Sequence, residues 1–153
     1  MAREETYGFY GWERATVPAV SGDWPGIRTP RDLYSALKHV WSRETCTERM
    51  RADWSPENPT LGQCTITSFL AQDIFGGKVL GTPLGDGNYH CYNVVGGCAF
   101  DLTSEQFGAE TPDYGHSVEQ SREAQLSKPG KRERYEALKE GLVRYCRERA
   151  DAE

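Results

Sequence analysis

The clearest apolar periodicity in the chain runs over residues 64–75. There Ile66, Phe69, Leu70 and Ile74 recur at the spacing that places side chains on one helix face. Gly76-Gly77 follows at once and supplies the stop, because glycine enters the left-handed conformation of a helix terminus without steric cost. A second stripe lies upstream, in Leu33, Leu37 and Trp41 with Ala36 and Val40 beside them. Its start is marked by Thr29 as N-cap, Pro30 at the first helical position and Asp32 three residues after the cap. A third stripe, Tyr135, Leu138, Leu142 and Tyr145, predicts a closing helix over residues 131–149 with an outer face of mixed charge.

Between the last two stripes the pattern is β-type. Three runs, residues 78–82, 88–95 and 98–103, are separated by turn residues at 83–87 and by Gly96-Gly97. Two glycines between β-rich runs predict a two-residue hairpin. Val95 then pairs with Cys98, Tyr92 lies opposite Asp101, and His90 lies opposite Thr103. Opposed residues share a sheet face, so His90, Tyr92, Asp101 and Thr103 point one way and Cys91 and Cys98 the other. His90 and Asp101 become diagonal neighbours about 7–8 Å apart at Cα, within reach of an imidazole–carboxylate hydrogen bond. A three-residue loop would instead carry Asp101 to the other face. Residues 1–28 lack any period and read as an irregular N-terminal arm; 55–62 and 104–130 read as loops. The expectation is one α+β domain with its core over 29–149, N-terminal helices on a small antiparallel sheet, and a C-terminal helix.

Composition narrows the partners. With 153 residues, 37% hydrophobic, the chain can bury one ordinary core, and its four Trp and eight Tyr make that core aromatic. A net charge of −5 speaks against nucleic acid, which demands a basic surface. No apolar run is long enough for a transmembrane helix, and the first fifteen residues lack the apolar core of a secretory signal. Five cysteines in such a chain point to reduced thiols and a cytoplasmic location rather than a disulfide framework. Cys91 and Cys98 would lie about 13 Å apart along the hairpin, whereas a disulfide requires Cα atoms within about 7 Å. No phosphate-binding glycine loop is present.

Three residues then carry candidate chemistry. Cys64 opens the second helix, where the positive end of the helix dipole and unpaired N–H groups favour a thiolate. His90 could serve as its base, with Asp101 orienting the ring, and Gln63 could join the Cys64 backbone N–H in holding an oxyanion. Each residue also has an ordinary structural use: a buried thiol, a satisfied core histidine, a turn aspartate. Their order on a helix start and adjacent strands is what gives them joint weight. A metal site would draw on Cys64, His90, Cys91 and Cys98, but no paired ligand spacing occurs and the hairpin faces separate them, so no metal and no cofactor are expected. His39 reads as helix-face and His116 as loop.

The segments Gly62-Gln63-Cys64 with Thr67, Gln72-Asp73-x-Phe75-Gly76-Gly77, His90-Cys91-Tyr92-Asn93 and Asp101-Leu102-Thr103-x-x-Gln106-Phe107 resemble, in this order, the YunG-like family of small bacterial proteins. The resemblance spans about residues 30–145 and leaves the activity open. The helix-borne cysteine followed by histidine and aspartate on strands is also similar to the papain-like and transglutaminase-like superfamily. That likeness implies a thiol enzyme with Cys64 as nucleophile, His90 as base, Asp101 as orienting acid and Gln63 as oxyanion donor. Asn93 faces away from His90 by parity and is not catalytic on this reading. The Cys–His separation of 26 residues, far shorter than in papain-like peptidases, argues against peptidase activity in the narrow sense. The expected function is acyl transfer by Cys64 on a small-molecule or peptide or protein side-chain substrate, by hydrolysis, deamidation or transfer. Its rival is a non-catalytic binding module with an inert Cys64 and a pocket lined by Tyr89, Tyr92 and tryptophans; a metal-binding protein is the third reading. Oligomeric state is left open.

Overall fold

Helix α1 (Pro30–Leu37) starts where the capping pattern placed it: Thr29 is extended at φ −136°, and its backbone N–H donates to the Asp32 carboxylate at 3.1 Å. The computed structural model describes residues 7–85 and 87–152. The helix ends four residues before Trp41, yet the Trp41 N–H still bonds the Leu37 carbonyl at 2.8 Å, and the indole remains buried. The indole N–H donates to Thr67 Oγ1 at 3.0 Å, joining α1's extension to α2 (Cys64–Phe75).

α2 is buried beyond a single stripe, because it lies between the sheet and α4 (Lys131–Ala152). Phe69, Leu70 and Ile74 are sealed on its faces, and Leu138 and Leu142 meet them from α4. The last inward residue of α4 is Cys146; Tyr145 stays half-buried and stacks on His39 with centroids 5.1 Å apart. Gly76 caps α2 at φ +80°, and Gly77 follows at φ +76°, where a Cβ would sit 2.4 Å from the Val94 carbonyl oxygen, so both conformation and space require glycine there.

The antiparallel sheet has the order β3-β2-β1-β4, from β1 (Lys78–Pro83), β2 (Tyr89–Val95), β3 (Cys98–Phe100) and β4 (Val118–Glu119). Val95 pairs with Cys98 and Asn93 with Phe100 across the Gly96-Gly97 turn, the register of a two-residue hairpin. The ladder stops at Phe100 rather than Thr103, so the expected pairs Tyr92–Asp101 and His90–Thr103 do not form. Asp101 instead bridges Tyr10, donating its N–H to the Tyr10 carbonyl at 2.9 Å. Its carboxylate accepts the Thr103 N–H at 3.2 Å, an Asx-type turn that bends the chain into a 3-10 helix over Ser104–Phe107.

The stretch read as a loop, 104–130, also holds β4 and the short helix α3 (Arg122–Leu126), which is capped by Ser121 Oγ accepting from the Ala124 N–H. The irregular N-terminal segment carries one 3-10 turn, Trp12–Arg14, and sinks Phe9, Ala15 and Ile27 into the common core. Residues 1–6 of that arm, Asp86 of the 83–87 turn and Glu153 lie outside the described residues. Among the described residues, no helix is long and apolar enough to cross a membrane.

One polar tie locks α2 to β2: Asn93 Nδ2, buried, donates to the Ser68 carbonyl at 2.8 Å. Asn93→Ala is expected to lower unfolding stability by about 1–3 kcal/mol, the cost of an unmade buried hydrogen bond, read as a lower urea midpoint. An unchanged midpoint would show that the tie carries no net stability.

Candidate active site

Cys64 is the first residue of α2. The first intrahelical bond runs from the Thr67 N–H to the Gln63 carbonyl, so the N–H groups of Cys64, Thr65 and Ile66 have no partner inside the helix. Cys64 is half-buried and lines the same recess as His90, and the Cys91 thiol and backbone N–H and the His90 ring all act on its charge. Thr65 Oγ1 adds to the cluster, 3.8 Å from Cys64 Sγ and 3.6 Å from Cys91 Sγ.

His90 rises from β2 and is 1% exposed; its Nε2 is 2.5 Å from Asp101 Oδ2. That bond commits one ring nitrogen, leaving Nδ1 as the nitrogen available to Cys64. Phe107 meets the imidazole edge-on at 4.6 Å and limits its rotation. Asp101 is fully buried, and its charge is met by donors on both oxygens. Tyr114 Oη donates to Oδ2 at 2.6 Å, while the Thr103 N–H and hydroxyl approach Oδ1 at 3.2 and 3.4 Å.

These contacts set the protonation states. The hydrogen bond from the Cys91 thiol is the largest influence on Cys64, and the bond and charge of His90 add to it. Together they outweigh burial and hold Cys64 well below the ordinary thiol range. Cys91 moves the other way, well above that range, because its bond to Cys64 and its burial both keep its proton in place. Burial alone would depress His90, but hydrogen bonds and charge from Asp101 and Cys64 raise it to about 10. The arrangement favours a Cys64 thiolate facing a His90 imidazolium. Burial and the neighbouring Asp101 charge push the Tyr114 phenol up, so it remains a donor.

Gln63 sits elsewhere than an oxyanion donor would. It is fully buried, its Nε2 donates to the Ser42 carbonyl at 3.0 Å, and its Oε1 has no hydrogen-bond partner among the described residues. The recess holding Cys64 and His90, about 120 Å³, is bordered instead by the amide of Gln106. Gln106 Nε2 donates to the Thr103 carbonyl at 3.1 Å and its Oε1 accepts from the Gly62 N–H at 3.4 Å. Tyr89 and Phe107 also border the recess, whereas Tyr92 and the four tryptophans do not. A larger cavity of about 800 Å³ lies beside the N-terminal segment; neither Cys64 nor His90 lines it. Among the described residues, no group of three or more His, Cys, Asp or Glu is placed to hold a metal ion.

The sequence profile of the YunG protein family matches residues 29–147, a span that contains all of these residues except the N-terminal bridge at Tyr10. The chain belongs to the YunG family. It is 37% identical over 109 residues to the uncharacterized protein YunG of Bacillus subtilis (strain 168), covering 71% of this chain and 87% of that one. No solved structure matches the chain significantly.

In this YunG-family chain Cys64 and His90 line one recess and His90 bonds Asp101, while Gln63 turns to Ser42. Sequence reasoning missed Tyr114, Cys91 and Gln106 as neighbours of the site. Gln106 and Thr103 at least lay in the segment shared with the family; Tyr114, in an unpatterned stretch, carried no signal. We expect Cys64 to alkylate with iodoacetamide below the ordinary thiol range near 8.5, faster than the other four free cysteines. Asp101→Asn removes the charge that keeps His90 protonated, so less thiolate persists and the neutral-pH rate falls about tenfold, equivalent to about one pKa unit. A rate–pH profile by peptide mass spectrometry checks both, and equal labelling of all five thiols would refute them.

Proposed function

We propose that the chain is a thiol-dependent acyl-transfer enzyme, a hydrolase, amidase or transferase, with a papain-like or transglutaminase-like arrangement of Cys64, His90 and Asp101. One observation carries the reading: a thiol at a helix N-terminus shares a recess with an imidazole whose Nε2 is held by a buried carboxylate. Five unpaired thiols suit a reducing cytoplasm.

The Cys64 thiolate attacks the acyl carbon, the C–S bond forms, and the carbonyl oxygen takes the negative charge. On this reading the Cys64 backbone N–H at the start of α2 and the second hydrogen of Gln106 Nε2, a residue bordering the recess, hold that oxyanion. As the tetrahedral adduct collapses, the bond to the leaving nitrogen, oxygen or sulfur breaks, and His90 Nδ1–H delivers its proton there. Water or an acceptor amine then attacks the thioester, gives its proton to His90, and releases Cys64 as the thiolate. Asp101 keeps the ring oriented and stabilises its cationic form throughout. Gln63 acts as a positioning residue that ties the helix start to Ser42.

The test uses p-nitrophenyl acetate and mass spectrometry of the intact chain. Cys64 is expected to gain one acetyl group that hydroxylamine removes, and Cys64→Ala to gain none while keeping its circular dichroism spectrum. His90→Ala is expected to slow turnover by about 10²–10⁴, the usual worth of a general acid–base. A folded chain that never acylates at Cys64 would leave the binding module with an inert thiol as the better description.

A further inference from the structure

We infer that the substrate of this site carries an oxyanion, a carboxylate or phosphate group, close to its acyl carbon, held by Lys131 and Arg134. The inference deepens the thiol-enzyme reading and rests on it for the word substrate; the anion site itself does not.

In a chain of net charge −5, the recess around Cys64 is bordered by Arg49, Lys128, Lys131 and Arg134 and, among its described lining residues, by no Asp or Glu. None of the four cations has a carboxylate within 4.0 Å among the described residues, although other basic side chains do find one, as Arg122 does in Asp73. Burial and the Arg51 charge depress Arg134, and the Cys46 and Cys64 thiols oppose them more than Glu48 does.

Lys131 and Arg134 are three residues apart in the first turn of α4, hence side by side on one face. Both are half-buried, while Lys128 and Arg49 stand exposed at the rim. A helix N-terminus is the unfavourable end for cations, since the backbone dipole is already positive there. Burial further depresses Lys131, with the Lys128 charge adding to it, and the Cys64 and Cys91 thiols act against both. Fixed partners are few: Lys131 Nζ donates to Gln125 Oε1 at 3.0 Å, and Arg134 Nη1 to the Thr45 carbonyl at 3.3 Å. The remaining donors are available to a ligand.

The thiolate alone does not account for this excess, because His90 already supplies it with a counter-charge. Positive field at the helix start and at Lys131 and Arg134 adds where a ligand anion would bind. A space of about 120 Å³ is smaller than the roughly 150 Å³ cavity that accommodates benzene. The anionic group therefore sits within a few bonds of the reacting carbonyl.

The experiment compares second-order alkylation of Cys64 by iodoacetate and by iodoacetamide at low salt, normalised to the same ratio for free cysteine. The normalised ratio is expected to favour iodoacetate by about tenfold or more, and to fall toward one in Lys131→Gln and Arg134→Gln and in high salt. In parallel, succinate and inorganic phosphate are titrated into Cys64→Ser and followed by amide chemical shifts, which separates carboxylate from phosphate preference. Shifts at the start of α4 that vanish in the two charge variants support the site. A reactive Cys64 without anion preference, together with no shifts from either anion, overturns the inference and leaves the thiol enzyme standing. A Cys64 inert to both reagents sinks the enzyme reading, and the titration still decides the anion site.

Discussion

A carboxylate with no solvent exposure governs much of this structure. Burying Asp101 unpaired would cost several kcal/mol, and the fold meets that cost with donors drawn from separate parts of the chain: His90 from β2, Thr103 from the following turn, and Tyr114 from a 3-10 helix beyond it. The backbone of the same residue pins the N-terminal segment through Tyr10. Three segments thus converge on this side chain and a fourth on its backbone, which is why β3 ends where it does and why the neighbouring imidazole is held in one orientation.

The second constraint is the burial of α2 on two sides. Packed between β2 and α4, the helix cannot rotate without exposing Phe69, Leu70 or Ile74, so its first residue is fixed in space. Gln63 strengthens that placement by reaching Ser42, and its own Oε1 is left without a partner among the described residues. The thiol ends up beside both faces of the strand start. Cys91, expected on the face away from His90, also acts on the Cys64 charge, and Thr65 Oγ1 lies within 3.8 Å of one sulfur and 3.6 Å of the other.

Electrostatics then concentrates at one place. Cys64 loses its proton readily because Cys91 and His90 both favour the charged sulfur, and His90 holds its proton because Asp101 and Cys64 both favour the charged ring. Lys131 and Arg134 extend this positive surround to the mouth of the recess. An acidic chain has thus gathered basic groups, without a carboxylate partner among the described residues, around the thiol that is most readily ionised.

Legibility followed the range of the interactions. The helix of residues 64–75 and the Gly96-Gly97 register were readable because periodicity and turn chemistry act over a few residues, and with them the helix-start position of Cys64; His90 and Asp101 do meet, but across the bend after β3 rather than through the expected ladder. β4, α3, the inward role of Phe9 and Ile27, and the contacts of Tyr114 and Gln106 were not, because each depends on packing or pairing with residues far along the chain. Gln63 shows the boundary most sharply: adjacency to Cys64 suggested a donor, but the side chain turns inward to Ser42, twenty-one residues away in sequence. Sequence alone determined where α1, α2, α4 and the hairpin form, since local sterics and hydrophobic period suffice for those. Only the tertiary structure decided which amide and which cations border the thiol, because those choices depend on where α4 and the 104–130 stretch come to rest.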